Sequence, residues 1–591
     1  MIRYYIIIIC LLPVLRCMVV AQTDSIAVAD SVISERKLED IISQVNDPED
    51  SPLIEFYESA GKRQNATLQV RSRYIERLQK SDGFQNRTYI GSSLKSYQRI
   101  KFSHGTHYAG GILFEKDAGE TRFYDFTSGN LLISDVGVVR KFIAGDYFVE
   151  AGQGLALWRS YDIAKGADVI LPVRRNAAGL NPYLSSGESG FFRGAAAEFK
   201  LGRFSQTVFY SSITRSGSLD SSGNLKSFYD VGYFRTDGEI AKRNIIAEKL
   251  YGTHCMYRFS QSNSAGATFY TARYSKKILL DNGKKFSGDR FSIASFDYNF
   301  TWQKLSMFGE IAGGNEVIAG NTGIVIMPSD DIGIIVSGRY YPYRYMNIHG
   351  LGFGEQTSNE QGFYVGTRLK ITDRILVSSY YDQYQSIDKA SLSFPSVGYD
   401  FLSQIEFSPS SVLDITLKYH RKCGDVAVPA IDANDFSSDI ITQQRKQKIR
   451  LSVDYKVSSR ISLRGRFEQI YLDINSTGKE EKGFMTYQDV LFKPDRILQI
   501  NLRVAYFRTD SYYTGISEYE RDLDGVLTQP ILYGSGIRWY CLLKYAPIHR
   551  VKISLKYSDY IRDDVKRIGT GLDELPGNHD NRVSAQLDLG F

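Results

Sequence analysis

The sequence predicts an all-β chain: a transmembrane antiparallel β-barrel of the outer-membrane type behind a short helical segment. Three observations carry this. Alternation of period two runs through most of the chain, as in Ile449, Leu451, Val453, Tyr455 and Val457 around Arg450, Ser452, Asp454 and Lys456. Period two puts alternate side chains on opposite faces of a strand, and charges this regular cannot point into a dry core. Connections alternate in length: Gly202-Arg203, Thr372-Asp373, Ser458-Ser459, Pro494-Asp495 and Pro547-Ile548-His549 read as tight turns, and residues 216–244, 276–288, 342–361, 423–445, 510–535 and 563–580 as long polar loops. Short turns on one side and long loops on the other are the outer-membrane pattern. Beyond residue 21, finally, no window approaches the roughly 18 consecutive apolar residues of a spanning helix.

Composition agrees with a two-faced strand protein. The chain has 41 Tyr and 33 Phe against 3 Trp, with 51 Gly and 14 Pro, and its mean hydropathy is −0.26. A net charge of +6 over 591 residues, with both signs interspersed, makes no case for nucleic acid. At roughly 9 to 11 residues per crossing, the spacing accommodates about 22 to 26 strands, and the number must be even if both termini are periplasmic.

In chain order, residues 1–21 read as a signal peptide: Arg3 is the basic start, residues 4–15 are apolar, and Val19-Val20-Ala21 offers a cleavage site. Residues 22–61 are helical in pattern. Ser34 can cap a helix with Leu38, Ile41, Ile42 and Val45 on one stripe, and Ser51-Pro52 can open a second. This periplasmic segment is too short for its own core and is expected either to dock on something, a periplasmic protein partner being one candidate, or to stay mobile.

Residues 62–591 form the barrel. In its last strand Val583, Ala585, Leu587, Leu589 and Phe591 should face lipid, with Ser584, Gln586 and Asp588 toward the lumen. That strand should pair with the first one near residues 68–72, and its apolar series should be the signal read by the barrel assembly machinery.

Residues 153–194 break the alternation. They are rich in glycine, basic residues and aromatics, and a loop this long is usually functional. A barrel of this size leaves a wide hole unless something fills it, so the segment is expected to fold inward as a plug or constriction. Arg159, Lys165, Arg174, Arg175 and Arg193 would then bias a passage toward anions. Alternatively they pair with interior acids such as Asp168 and Glu188 and simply hold the segment in place.

Several motifs carry a resemblance. Glu115-Lys116-Asp117-Ala118-Gly119-Glu120, the Gly152-Gln153-Gly154 turn, Arg174-Arg175-Asn176, Gly190-Phe191-Phe192-Arg193-Gly194, Asn359-Glu360 and Gly569-Thr570-Gly571-Leu572-Asp573 resemble the barrel part of a Bacteroidetes outer-membrane family named for helix-hairpin-helix motifs ahead of the barrel. The likeness runs from about residue 71 onward. It departs at the N-terminal side: residues 58–70 hold a single glycine, Gly61, and no second helix pair that could present amides to a DNA phosphate. DNA binding is therefore not carried over.

Catalytic chemistry is not expected. No G-x-S-x-G elbow accompanies the seven histidines, and His420 reads as a hydrogen-bonded wall residue. His104 and His107 lack a carboxylate to complete a metal site, and the Asp522, Asp524, Gly525 stretch lacks the closing glutamate of a calcium loop. Cys255, Cys423 and Cys541 form no disulfide framework. The expectation is a non-enzymatic barrel in the outer membrane, without cofactor or metal, acting in transport or translocation. A plugged structural or assembly barrel is the alternative; an outer-membrane hydrolase or DNA-uptake component ranks lower.

Overall fold

The computed structural model describes residues 66–159, 165–314, 316–388, 396–431, 437–474 and 479–591. The expected signal peptide (1–21) and helical segment (22–61) lie outside the described residues. Twenty-four strands, each antiparallel to its neighbours, close into one barrel. The first wall strand is Ala66–Arg77 and the last is His579–Gly590. They meet from Gln69↔Gly590 to Arg77↔Arg582, as the expected seam between first and last strands requires. Leu68 and Phe591 complete the seam by exchanging backbone bonds of 2.8 and 3.0 Å. Closure leaves no unpaired edge, the condition for backbone to cross lipid.

The two faces sort as the alternation predicts. Leu417, Ile449, Leu451, Phe467, Leu502, Val504, Tyr506, Leu555, Val583 and Leu587 are exposed, while Glu310, Asp382, Glu468, Ser584, Gln586 and Asp588 on the other parity are buried. An apolar outer surface of this extent is foreign to a water-soluble monomer and suits a lipid belt.

The expected tight turns close adjacent strands, for example Gly202-Arg203 between Phe192–Leu201 and Phe204–Arg215. Two segments expected to be loops are largely strand instead. Residues 276–280 and 286–288 belong to the ends of Ser264–Leu280 and Phe286–Trp302, and only 281–285 form the turn between them. Residues 423–431 and 437–445 belong to Leu413–Ile431 and Ser437–Lys456, which stay in register from Ser437↔Ile431 to Tyr455↔Leu413. At 19 and 20 residues these two strands are about twice the membrane-crossing length. Where a hairpin projects beyond lipid both its faces are wet, so polarity there does not mean loop.

Candidate functional site

Two segments reach from the long-loop side against inward-pointing side chains of the wall. The first follows strand Val139–Glu150 and runs to Phe192, where the wall resumes. A turn at residues 151–157 is seized by Glu310, on strand Leu305–Gly314. Glu310 accepts the backbone N–H groups of Gln153, Leu155 and Ala156 at 2.8, 2.9 and 2.9 Å. The loop after strand Ile332–Tyr341 clamps the turn from its other side. Tyr345 and Asn347 donate to the carbonyls of Leu155 and Ala156 at 2.9 and 2.8 Å, and the Leu351 amide donates to Gly154 at 2.7 Å. Gly154 is required here: its φ is +88°, and a Cβ would lie 2.8 Å from the Leu351 carbonyl oxygen.

Further along, Val169 and Val173 pack on Phe308, Val325, Ile335, Tyr364 and Tyr380, and Tyr364 donates to the Val169 carbonyl at 2.9 Å. The Ile170 side chain comes close to Gly333 at the lower end of its strand. The insert therefore descends from the long-loop rim to the short-turn end.

The five basic residues singled out from the sequence have separate fates. Arg159 ion-pairs with Glu150 and lies 4.7 Å from the Phe148 ring. Lys165 enters a buried cluster, 2.6 Å from Asp382 and also paired with Glu355. In that cluster Arg339 binds Asp382 at 2.7 Å and Glu360, and Lys422 binds Glu355. Burial opposes ionisation of Glu355, but Lys165 and Lys422 outweigh it and hold its pKa at about 2. Arg174 donates to Asn299 at 2.9 Å and makes no ion pair among the described residues. Arg175 donates to the Leu351 carbonyl and stacks 4.9 Å over Trp158.

Arg193 is placed differently from the expectation. It belongs to strand Phe192–Leu201, pairs with Asp146 at 2.6 Å, and shares the outward parity of Phe142 and Tyr210. Arg159, Lys165 and Arg193 take the wall carboxylates Glu150, Asp382 and Asp146, while the Asp168 side chain accepts the Ile170 and Leu171 amides at 3.0 Å. His420 is a wall residue bonded to Asp400 at 2.6 Å. No group of three metal-ligating side chains occurs among the described residues.

The second inward segment was not anticipated. Residues 510–535, expected to be an outer loop, form a hairpin tongue. Short strands Ile516–Ser517 and Ile531–Leu532 pair at its root, and Glu520 bridges Thr528 below them. The chain turns at Leu523 to Val526 with Gly525 at φ +77°.

Acidic side chains recur at every second position of the descending limb and meet wall cations in order. Glu518 pairs with Arg466 and accepts from Tyr487 at 3.1 Å. Glu520 takes Arg538 at 2.8 Å, and Asp522 takes Lys556 at 2.6 Å. Asp524, at the tip, takes Lys544 at 2.8 Å and Lys552 at 2.5 Å. Between Arg538 and Lys544 the wall strand runs about 20 Å along its length at 3.3 Å per residue. The signal for this tongue was in the sequence: Glu518, Glu520, Asp522 and Asp524 repeat with period two, matching inward cations such as Lys552 and Lys556.

No protein-family profile and no curated protein matches the chain. Among solved structures it is similar to the siderophore receptor PirA from Acinetobacter baumannii, at 8% identity and TM-score 0.44 over 90% of this chain and 81% of that one. It is also similar to the ferric enterobactin receptor PfeA from Pseudomonas aeruginosa, at 8% and 0.44 over 89% and 80%. The copper transporter OprC is a third, at 8% and 0.44 over 89% and 82%. At these values the likeness says nothing of what this chain carries.

Proposed function

We propose that this chain is an outer-membrane transport barrel whose lumen is closed at rest by the insert and the tongue, so that passage requires one of them to move. The supporting observation is the Glu310 seat. A wall carboxylate buried behind three insert amides makes a water-filled path along that wall incompatible with the resting arrangement. Planar-bilayer recording tests this. The intact barrel is expected to be silent, and barrels lacking residues 155–190, residues 516–531 or both are expected to conduct. If none of the deleted forms conducts, the transport reading fails.

Both termini are proposed to be periplasmic, with the tight turns. The outward series Val583, Ala585, Leu587, Leu589 and Phe591 is proposed as the assembly signal. The resemblance to the Bacteroidetes barrel family stands as a further proposal, resting on the motifs given above. The extent of ionic bracing in the lumen also fits a sealed assembly barrel whose residues 22–61 hold a periplasmic partner. A pull-down that captures no protein dependent on that segment would remove this second reading.

A further inference from the structure

We propose that the column of wall cations beneath the tongue is a binding site for an extended acidic peptide, and that the tongue is its built-in competitor. This rests on the transport reading only in taking the tongue to be displaceable.

Three observations support it. The wall engages the tongue as a ladder of cations meeting carboxylates at alternate positions of an extended chain: Arg466, Arg538, Lys556 (shared by Glu520 and Asp522), then Lys544 and Lys552. Nothing in such a ladder is particular to this segment beyond the spacing of its charges.

The wall also binds peptide backbone. Arg503 donates to the Tyr519 carbonyl at 2.7 Å, and Arg73 and Gln586 donate to the Asp524 carbonyl at 2.9 and 3.2 Å. A polyphosphate or a nucleic acid has no such carbonyls, so the surface suits an acidic peptide better than another polyanion.

The lower end of the column, moreover, has more cations than the tongue neutralises. Arg71 is paired to Asp588 at 2.5 Å, but Arg99 stands directly opposite Arg71 in the strand register and Lys101 opposite Gln69. Neither Arg99 nor Lys101 makes an ion pair among the described residues. Like charges facing one another across a strand pair are unfavourable, and an incoming carboxylate beyond the tongue tip would relieve them.

The test uses the full chain in lipid nanodiscs, a fluorescent octaglutamate as probe and polyphosphate of matched charge as comparator. In the variant E518Q/E520Q/D522N/D524N the tongue keeps its shape and hydrogen-bonding groups but loses its charge. It is expected to bind octaglutamate at least about tenfold more tightly than the parent, roughly the worth of a good charge pair. The gain should vanish at high salt and when K544Q and K552Q are added.

A folded variant that binds no better than the parent overturns the proposal. So does one that prefers polyphosphate, because the site would then be a general anion surface. Should the fourfold variant not fold, D524N alters only the tip: a smaller gain supports the proposal and no gain overturns it. Conductance is read separately. A tongue-deleted barrel that conducts but binds no peptide leaves the transport reading intact and removes this one.

Discussion

The insert and the tongue occupy one lumen but are held by different chemistry. The insert is held largely through its backbone, with Lys165 as its buried ionic anchor: Glu310 collects three of its amides, tyrosine and asparagine donors take its carbonyls, and an apolar patch lies beneath Val169 and Val173. The tongue is held mainly by its side chains, four carboxylates set against wall cations, with Lys556 shared by Glu520 and Asp522. Backbone hydrogen bonds depend on one local shape. A charge ladder depends on spacing and sign, and another chain can supply both. The insert therefore behaves as part of the wall, and the tongue as a segment that can be exchanged.

The sharpest way to break this contrast is at Asp382, which binds both Lys165 of the insert and Arg339 of the wall. Asp382→Ala would take a shared carboxylate from two buried cations, leaving Lys165 to Glu355 and Arg339 to Glu360, a loss of about 3–5 kcal/mol. Hydrogen exchange should rise across residues 165–175 and stay unchanged across 516–526. Equal loosening of both segments would mean that they form one unit.

Next in size is Glu310→Ala, which leaves three buried amides without an acceptor and costs roughly 3 kcal/mol. Protease cleavage near residues 153–157 is the readout, and Glu310→Gln, which keeps one carbonyl acceptor, should recover part of the protection. If Glu310→Ala leaves the turn as protected as before, the loop around Tyr345 and Asn347 is what holds it.

How much of this could be read beforehand follows from the same physics. Wall strands were legible because lipid on one face and polar groups on the other impose period two, and the seam was legible because residues 583–591 show it cleanly. The insert was legible as a break in that period. Its partners were not, because Glu310 and Asp382 lie more than 150 residues from it in the chain and alternate like any other inward residue. Arg193 was misplaced because it directly follows the aromatic pair at which the insert rejoins the wall; its parity, not its composition, puts it outside. The tongue is hidden in the sequence because a polar stretch between two strands reads the same whether it points out to water or back into the lumen, and its acidic alternation becomes informative only beside the inward cations it meets.

Acidification separates the ladder's charges from its shape. Burial favours the neutral form of Glu520, but Arg538 and Lys556 outweigh it and hold the pKa at about 2. Asp524 is likewise held below the usual range, against burial, by Lys544 and Lys552. For depressed carboxylates the stabilisation is complete above their free values near 4 and is lost as pH falls through the lowered ones. Exchange at residues 518–524, taken relative to an unstructured peptide at the same pH, should therefore be flat from pH 8 to about 5 and rise only below about pH 4. A rise near neutral pH would show that something other than these carboxylates latches the tongue.

The smallest effect expected is that of salt, and it discriminates within the tongue itself. The Asp524 side chain keeps 15% of its exposure and Glu520 only 3%, so screening reaches the tip before the limb. Raising NaCl to about 1 M shortens the Debye length to roughly 3 Å and should cost the tip no more than about 1 kcal/mol. Exchange should then increase at residues 523–526, less at 518–520, and not at 153–157, where amides rather than cations meet the carboxylate. A uniform response along the tongue would mean that it moves as a rigid hairpin. In that case the competing peptide would have to displace all of its contacts at once, instead of entering from the loosened end beside Arg99 and Lys101.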